Sequence, residues 1–254
     1  MSKLNTNSNA YIIIYSAIMV VIVAFLLAFV YQALKPMQDA NVALDVKKQI
    51  LYSLNIRDLD GAEAEAKYAE VIEDTMEMAG QKILMAEIND EPIMVFEMKG
   101  MGLWGGISGY MSAHLDPKTM DFRVYGAYFN HESETAGLGA EIKDSQEWQE
   151  KFIGKRIITT DENGKDHVAL SVVKKVEDPE SHVDCVTGAT LTSNGVDEMI
   201  KRTFGIWTGE YDLDVDESEL MKKMLKACLT GNDSISDAEL EKMLKVRKVK
   251  EEEE

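Results

Sequence analysis

Residues 184–195 read DCVTGATLTSNG, a run of hydroxyl-bearing and small residues that leads directly into a helical pattern. After this run, large apolar residues recur at helical spacing, at Val196, Met199, Ile200, Phe204 and Trp207. The pattern therefore predicts a helix that begins close to the end of the run and ends at Gly209, since glycine is common just past a helix C-terminus.

The start of this helix is predicted at Ser193 or Asn194, either of which can serve as its N-cap. Asp197 and Glu198 then fall in the first turn, where the helix dipole favours anions. A loop of small residues before a helix leaves backbone N–H groups accessible, and such a helix start binds phosphate groups. We expect a phosphate-binding loop here, although the same string is also typical of an ordinary capped helix after a turn.

Two further segments decide between these interpretations. Residues 99–105 read KGMGLWG, and residues 134–139 read ETAGLG. Together with TGAT at 187–190, they resemble the FMN-binding domain family, which occurs in the C subunit of the sodium-translocating NADH:quinone oxidoreductase and in the G subunit of the Rnf complex. Asp184 followed by TGAT resembles that family's flavinylation motif, and Ala136 stands where the family usually has proline.

The resemblance implies that the last threonine of the motif, Thr190, carries FMN through a phosphoester bond. It also implies a flavin environment of apolar surface, backbone N–H donors and polar side chains. The implied cofactor-binding residues are Thr187, Gly188, Ala189, Thr190, Leu191, Glu134, Thr135, Gly137, Leu138 and Trp104. The alternative is that Trp104 and Leu138 belong to an ordinary core and that the glycines only form turns. No residue of the chain is predicted to be catalytic by itself.

The function implied by the resemblance is electron transfer within a membrane complex that oxidises NADH, reduces quinone and transports sodium ions. The implied partners are the other subunits of this multi-subunit oxidoreductase, a flavin transferase for maturation and the lipid bilayer. The G subunit of the Rnf complex is the close alternative, and it differs mainly in its electron partner. A cofactor-free, membrane-anchored structural module is the alternative from another class.

The membrane anchor is predicted from an uncharged segment near the N-terminus. No charged residue lies between Lys3 and Lys35, and residues 11–34 are mostly apolar. At about 1.5 Å per residue they span about 36 Å, which is enough to cross a bilayer. A cleaved signal peptide has a shorter apolar region and a small-residue cleavage site, so an uncleaved transmembrane helix is favoured.

Charge bias and family resemblance disagree about the side of the membrane. Lys35, Lys47 and Lys48 follow the span, which by the positive-inside rule favours a cytoplasmic domain. The resemblance implies a flavin domain on the periplasmic side of the inner membrane. Because long domains translocate largely regardless of charge, we follow the resemblance.

Composition excludes several classes of function. The formal net charge of −18 argues against nucleic-acid binding, which needs clustered basic residues. Cys185 and Cys228 do not form a Cys-x-x-Cys pair, which argues against an iron–sulfur cluster or zinc ribbon; a disulfide between them is an alternative to a buried Cys185. The acidic run from Asp212 to Asp216 lacks the glycine and the later glutamate of a calcium loop, so we predict no metal site.

The predicted fold class is α+β: a single N-terminal transmembrane helix, a mainly antiparallel-sheet FMN-binding domain, and an acidic helical tail. The predicted divisions are an N-terminal tip at 1–10, the transmembrane helix at 11–34, a helical membrane-proximal region at 35–82, the FMN-binding domain at 83–209 and the tail at 210–254. Helices are predicted from Pro36 to about Asn55, from Gly61 to Gly80 and, briefly, from Asp144 to Phe152. The predicted strands are Ile83–Ile88, Ile93–Met98, Phe122–Phe129, Ile157–Thr160 and Val168–Val176.

The glycines at 100–105 also match the Gly-x-Gly-x-x-Gly pattern of dinucleotide-binding loops. That interpretation requires a helix directly after the glycines. Gly105, Gly106 and Gly109 disfavour such a helix, and Pro117 follows soon after. We therefore predict no nicotinamide site.

Overall fold

The computed structural model describes residues 8–78, 81–115 and 121–209. The predicted tail at 210–254, with Cys228 and the acidic run from Asp212, lies outside the described residues, as does most of the N-terminal tip. The chain forms two compact units that divide between Val46 and Lys47.

The first unit consists of most of helix α1, Asn9–Ser53. By length and composition, α1 is the one helix among the described residues that is able to cross a membrane. Its apolar window is fully exposed, as expected of a segment that contacts lipid. The sequence predicted two helices separated at Pro36, but Pro36 lies inside one continuous helix. A proline removes a single backbone donor, and long apolar helices tolerate this loss.

The second unit is built on a five-stranded antiparallel sheet whose spatial order, β1-β2-β3-β4-β5, follows the chain. Its strands are β1 Ile72–Met78, β2 Gln81–Ile88, β3 Glu91–Met101, β4 Gly106–Leu115 and β5 Phe122–His131. Two small sheets accompany it, one formed by β6 Ile158–Thr160 and β7 Asp166–Val168, the other by β8 Ser171–Val173 and β9 His182–Asp184. Among the described strands only the β8–β9 pair is parallel, so the predicted α+β class with a mainly antiparallel sheet is confirmed.

The helices of this unit are α2 Gly61–Val71, α3 Glu141–Asp144, α4 Gln146–Glu150 and α5 Thr190–Thr208. Helix α5 packs along β3, and the two approach so closely that a Cβ on Gly100 would lie 2.9 Å from Met199 Cβ. Their shared core contains buried aromatic and aliphatic side chains, among them Phe96, Met98, Phe129, Val196, Met199 and Phe204. The last turn of α1 joins the other face of the sheet, where the Ser112 hydroxyl donates to Ser53 O at 2.5 Å.

Two strands of the five-stranded sheet were not predicted as strands. Residues 72–78 were predicted as part of a helix from Gly61 to Gly80, but α2 ends at Val71 and β1 pairs with β2. This prediction was wrong because the Glu- and Met-rich segment gains a sheet partner that outweighs its local preference for helix. The strand β4 was missed because of its glycines. Gly109 is needed there, since a Cβ on it would lie 2.5 Å from Tyr128 O on β5.

The remaining secondary-structure predictions differ in detail. The predicted strands in the regions of β2, β3, β5 and β6 are present. The predicted strand Val168–Val176 is divided between β7 and β8, and the short strand β9 was not predicted. The predicted helix from Asp144 to Phe152 is present as α4, whereas α3 before it was not predicted. Ser145 caps α4 by accepting a hydrogen bond from Trp148 N at 3.2 Å. Because the sheet begins at Ile72, the predicted domain boundary at residue 83 falls within β2.

Candidate functional site

Helix α5 begins at Thr190, three residues before the predicted N-cap position. Ser193 and Asn194 are therefore inside the helix, and Ala189 occupies the cap position. The prediction failed because the first turn is held by two small polar residues, Thr192 and Ser193, which are buried but give no apolar signal.

The earlier start also changes the electrostatics of this helix end. The first turn, all of which the structure describes, contains no acidic residue, and Asp197 lies nearly two turns further on. Asp197 instead accepts hydrogen bonds from the Ser171 hydroxyl and Val172 N, each at 2.7 Å, and pairs with Lys201 at 2.6 Å. No carboxylate of the first turn therefore offsets the partial positive charge at the N-terminus of α5, which favours an anion beside Thr190.

The loop before α5 is held in place by its own backbone and by Ser193. Ala189 N donates to Val186 O at 3.0 Å, and Val186 N donates to the buried Ser193 hydroxyl at 3.0 Å. Gly188 has a φ of +79°, a conformation that suits glycine. Thr187 and Gly188 are exposed and Thr190 is half-buried, so the Thr190 side chain lies at the boundary between loop and helix.

The Gly-Leu-Trp segment forms the turn between β3 and β4. Gly102 N donates to Gly105 O at 2.8 Å, which closes the turn directly after Met101. Trp104 is 67% exposed and Leu103 is also exposed. The alternative that Trp104 is an ordinary core residue is therefore not supported, because core tryptophans of this chain, such as Trp148 and Trp207, are buried.

Glu134 connects this turn to helix α5. Its Oε1 accepts a hydrogen bond from Trp104 N at 2.8 Å, and its Oε2 accepts one from the Thr192 hydroxyl at 2.6 Å. The residue is only 8% exposed. Burial acts to raise the pKa of the Glu134 carboxyl, but the hydrogen bonds from Thr192 and from backbone N–H groups of the turn outweigh it, and the pKa lies below its ordinary value.

The rest of the ETAGLG segment forms a compact turn at the same end of the sheet. Thr135 O accepts hydrogen bonds from Leu138 N at 3.1 Å and from Ala140 N at 3.0 Å, and Gly137 has a φ of +72°. Leu138 is 44% exposed and lies beside the TGAT loop, since a Cβ on Gly188 would be 2.9 Å from Leu138 Cδ2. The Thr135 side chain is exposed.

The structure thus brings three separate sequence segments together at one end of the sheet. Among the residues implied by the resemblance, Thr187, Gly188, Thr135, Gly137, Leu138, Trp104 and Leu191 are exposed there, Thr190 is half-buried, and Ala189 and Glu134 are buried. The sequence interpretation missed the roles of Thr192 and Ser193. The spacing of Thr192 from Val196, Met199 and Thr203 placed it on the buried face, which is the signal that was available.

The neighbouring polar residues have structural partners. Asp184 forms an ion pair with Lys151 at 2.9 Å, and its carbonyl accepts a hydrogen bond from Trp148 Nε1 at 2.8 Å. Arg202 donates to Lys99 O. Cys185 is half-buried with an unbridged thiol. Within the described ranges, no group of three or more His, Cys, Asp and Glu side chains is arranged to hold a metal ion.

Comparison with known proteins matches this same region. The profile of the FMN-binding domain family matches residues 102–204. The chain is 37% identical over 141 residues to the C subunit of the Na(+)-translocating NADH-quinone reductase of Haemophilus ducreyi, covering 55% of this chain and 48% of that protein. It is 36% identical over 137 residues to the protein of the same name from Chlamydia pneumoniae, covering 49% and 41%. The chain thus spans about half the length of these curated relatives.

Solved structures extend the similarity to the whole fold. The crystal structure of the C subunit of the Na(+)-translocating NADH-quinone reductase from Parabacteroides distasonis superposes with a TM-score of 0.60 at 30% identity, covering 71% of this chain and 98% of that one. A Shewanella oneidensis protein described as NqrC has a TM-score of 0.53 at 19% identity, covering 72% and 97%. The second similarity concerns the fold alone.

Proposed function

The chain belongs to the FMN-binding domain family that includes the C subunit of the Na(+)-translocating NADH-quinone reductase, and from this premise we propose that it is an electron-transfer subunit with FMN esterified to Thr190. The observation that carries the proposal is the position of Thr190. Its hydroxyl stands on the first residue of α5, where the helix dipole favours a phosphate and no first-turn carboxylate opposes it.

The surroundings fit a flavin in shape and chemistry. Leu191 is 60% exposed, and together with the exposed Trp104 and Leu138 it offers apolar surface to a planar ring at this end of the sheet. Thr187, Gly188 and Ala189 form the loop that precedes the acceptor, and Gly188 adds no side chain that would obstruct a phosphate. Thr135 and Gly137 provide polar groups at the rim. When bound, FMN supplies reversible electron acceptance and release, and these residues hold and shield it.

Attachment requires an activated flavin donor, because the phosphate of FMN itself carries no good leaving group. In the proposed transfer, Thr190 Oγ forms a bond to the flavin-side phosphorus of a flavin–nucleotide pyrophosphate. The pyrophosphate P–O bond breaks, the nucleotide leaves as its monophosphate, and the hydroxyl proton passes to solvent or to a transferase base. No electrons change hands in this step. A dedicated flavin transferase is the proposed partner that catalyses it.

The proposed setting is an inner-membrane complex. In this proposal helix α1, which is long and apolar enough to span a membrane, is the single-pass anchor. The flavin domain lies on the periplasmic side in this proposal, as the family resemblance implies. The names of the relatives support a complex that oxidises NADH, reduces quinone and translocates sodium, with other subunits handling those substrates. The same names favour this complex over the related Rnf complex. Identification of the subunits that co-purify with the chain separates the two.

The test is to express the chain with a flavin transferase and an export signal, denature it, and map the added mass by peptide sequencing. We expect the mass of FMN less one water on the peptide that contains Thr190. Thr190→Ala should abolish it and Thr190→Ser should retain it. Thr187→Ala removes the exposed hydroxyl three residues earlier in the loop and tests the alternative acceptor. Label on Thr187 would refute the assignment to Thr190, and a chain that carries no flavin in active complex would support a cofactor-free module.

A further inference from the structure

We propose that Glu134 is a positioning residue. Its ionised carboxylate bridges the Gly102–Gly105 turn and the first turn of α5 through hydrogen bonds from Trp104 N and the Thr192 hydroxyl, and thereby fixes the conformation of the flavin-accepting loop. We call this pair of hydrogen bonds the clasp. The sequence had assigned Glu134 to the flavin itself. The proposal rests on the proposed function for what is positioned, while the clasp itself is a property of the flavin-free chain.

The geometry of the clasp joins parts of the chain that are far apart in sequence. Glu134 lies 30 residues from Trp104 and 58 residues from Thr192, and it accepts one hydrogen bond from each. Each of its two oxygens therefore accepts a hydrogen bond from a protein donor. Because the residue is only 8% exposed, little of its carboxylate is accessible to a flavin.

The glycines of two of the motifs are explained by this carboxylate. A Cβ on Gly102 would overlap Glu134 Oε1, and a Cβ on Gly139 would overlap Glu134 Oε2 and lie 2.7 Å from the Thr192 hydroxyl. Gly195, one turn into α5, approaches the turn from the other side, since a Cβ there would overlap Met101 O. The absence of a side chain at these glycines leaves room for the turn, the carboxylate and the helix to meet.

The ionised form is the one that fits all donors. A carboxylate only accepts hydrogen bonds, and the groups that face it, the Thr192 hydroxyl and backbone N–H groups of the turn, are able to donate. The hydrogen bonds keep the pKa of Glu134 below its ordinary value despite burial. A glutamine at position 134 can replace the carboxylate in part. Its amide oxygen accepts a hydrogen bond from Trp104 N, and its amide NH2 donates one to the Thr192 hydroxyl, because a hydroxyl can accept as well as donate. An alanine leaves the turn and Thr192 without this partner.

The consequence for function concerns the shape of the acceptor site. Thr192 is two residues beyond Thr190 in the first turn of α5, and Trp104 is in the clasped turn. Without the clasp, the turn that contains Leu103 and Trp104 is no longer hydrogen-bonded through Glu134 to the start of α5, where Thr190 lies. We therefore expect slower flavin attachment, because the transferase meets a mobile acceptor site, and a less constrained apolar surface beside the ring.

The test uses the full chain in detergent and two independent readouts. The first is amide hydrogen exchange at Trp104 in the flavin-free chain, and the second is the initial rate of FMN attachment to Thr190 by the transferase. Glu134→Ala should accelerate Trp104 exchange about 10-fold or more and slow attachment by a similar factor, the range expected when a hydrogen bond to a charged group is lost. Thr192→Val should have a smaller effect in the same direction.

Conservative variants and a matched control separate positioning from general loss of structure. Thr192→Ser restores the hydroxyl and should restore both readouts, and Glu134→Gln should lie closer to the unmodified chain than Glu134→Ala does. Glu198→Ala removes an exposed carboxylate from α5 and should leave both readouts unchanged. If Glu134→Ala does not fold, the comparison of Thr192→Val with Thr192→Ser still tests the clasp, because only the first variant should change Trp104 exchange and the rate of FMN attachment.

Failure of the clasp and failure of the proposed function give different results. If the unmodified chain accepts FMN but folded Thr192→Val or Glu134→Ala accepts it at the same rate, with unchanged Trp104 exchange, the clasp is refuted and the flavin assignment stands. If the unmodified chain accepts no FMN while Glu134→Ala still accelerates Trp104 exchange, the clasp survives as a structural bond and its role in attachment is refuted.

Discussion

The buried hydroxyl of Ser193 accepts a hydrogen bond from the backbone N–H of Val186 at 3.0 Å. Ser193 lies within the first turn of α5, whereas Val186 precedes the helix, so this bond folds the loop back over the helix start. The side chain thus satisfies a buried backbone donor outside the helix rather than capping the helix from in front.

The first prediction concerns this bond. Ser193→Ala leaves Val186 N without its partner in a buried site, and we expect the free energy of unfolding to fall by about 1–3 kcal/mol. Asn194→Ala is the matched control, because Asn194 is exposed and should change stability by less than about 0.5 kcal/mol. Urea unfolding of the chain in detergent measures both. Equal effects of the two substitutions would restore the interpretation in which either residue is an N-cap.

The second prediction concerns Gly195, which lies inside α5. In an exposed helix, replacing glycine by alanine stabilises by up to about 1 kcal/mol. Here the added Cβ would overlap Met101 O and lie 3.2 Å from its carbonyl carbon, so Gly195→Ala should instead destabilise by about 1–3 kcal/mol. Glu198→Ala, at an exposed position of the same helix, is the control, and thermal unfolding reports the difference. A stabilised Gly195→Ala would contradict the close packing of α5 on the β3–β4 turn.

The third prediction separates stability from cofactor environment at Trp104. Because this side chain is 67% exposed, Trp104→Ala should change the stability of the flavin-free chain by less than about 0.5 kcal/mol. In the FMN-loaded chain, the same substitution should alter visible circular dichroism and increase flavin fluorescence, since an indole near the ring would quench it. Trp148→Ala, at a buried tryptophan, should instead cost about 3–5 kcal/mol. Unchanged flavin spectra in Trp104→Ala would place the ring away from this turn.

The fourth prediction is a pH dependence from Asp121, whose carboxylate accepts hydrogen bonds from Arg123 Nε at 2.7 Å and Arg156 Nε at 3.0 Å. Burial acts to raise the pKa of Asp121, but the two arginines outweigh it and hold the pKa below its ordinary value. A lowered folded-state pKa contributes stability that is present at neutral pH and is lost as pH falls through that pKa.

Asp121→Asn should therefore be less stable than the unmodified chain at neutral pH, and the gap should close between about pH 5 and about pH 1. Urea unfolding across this range measures the gap. Asp144→Asn, at an exposed aspartate of α3 outside this group of charges, shows how much of the pH effect is general. A gap that stays constant in acid would show that the ionised pair does not stabilise the fold.

The fifth prediction concerns the two units of the chain. A chain shortened to begin at Lys47 retains Ile50, Leu51 and Leu54, which are buried in the second unit. It should fold and remain soluble without detergent, whereas the full chain should require detergent because of the exposed apolar surface of α1. A chain that begins at Ile56 lacks those three core residues and should be markedly less stable. Aggregation of the Lys47 chain would show that α1 is needed for folding.

Local patterns were sufficient where one segment carries its own signal. The uncharged apolar run predicted α1, short β-rich runs bounded by turn residues predicted β2, β3 and β5, and the three motifs indicated the FMN-binding domain. Each of these depends on residues that are neighbours in sequence. Patterns failed at β1 and β4, where a helix-prone segment and a glycine-containing segment become strands only because partner strands lie beside them.

The amino-acid sequence by itself thus determined the long apolar helix near the N-terminus, the α+β class and the position of the loop that precedes α5. Only the tertiary structure decided that α5 starts at Thr190 and that Glu134 joins Trp104 to Thr192. The physical reason is that periodicity reports burial of large apolar side chains along one segment. A helix start made of small buried polar residues, and a carboxylate whose donors come from distant segments, produce no such periodicity, and the chain must fold before these groups meet.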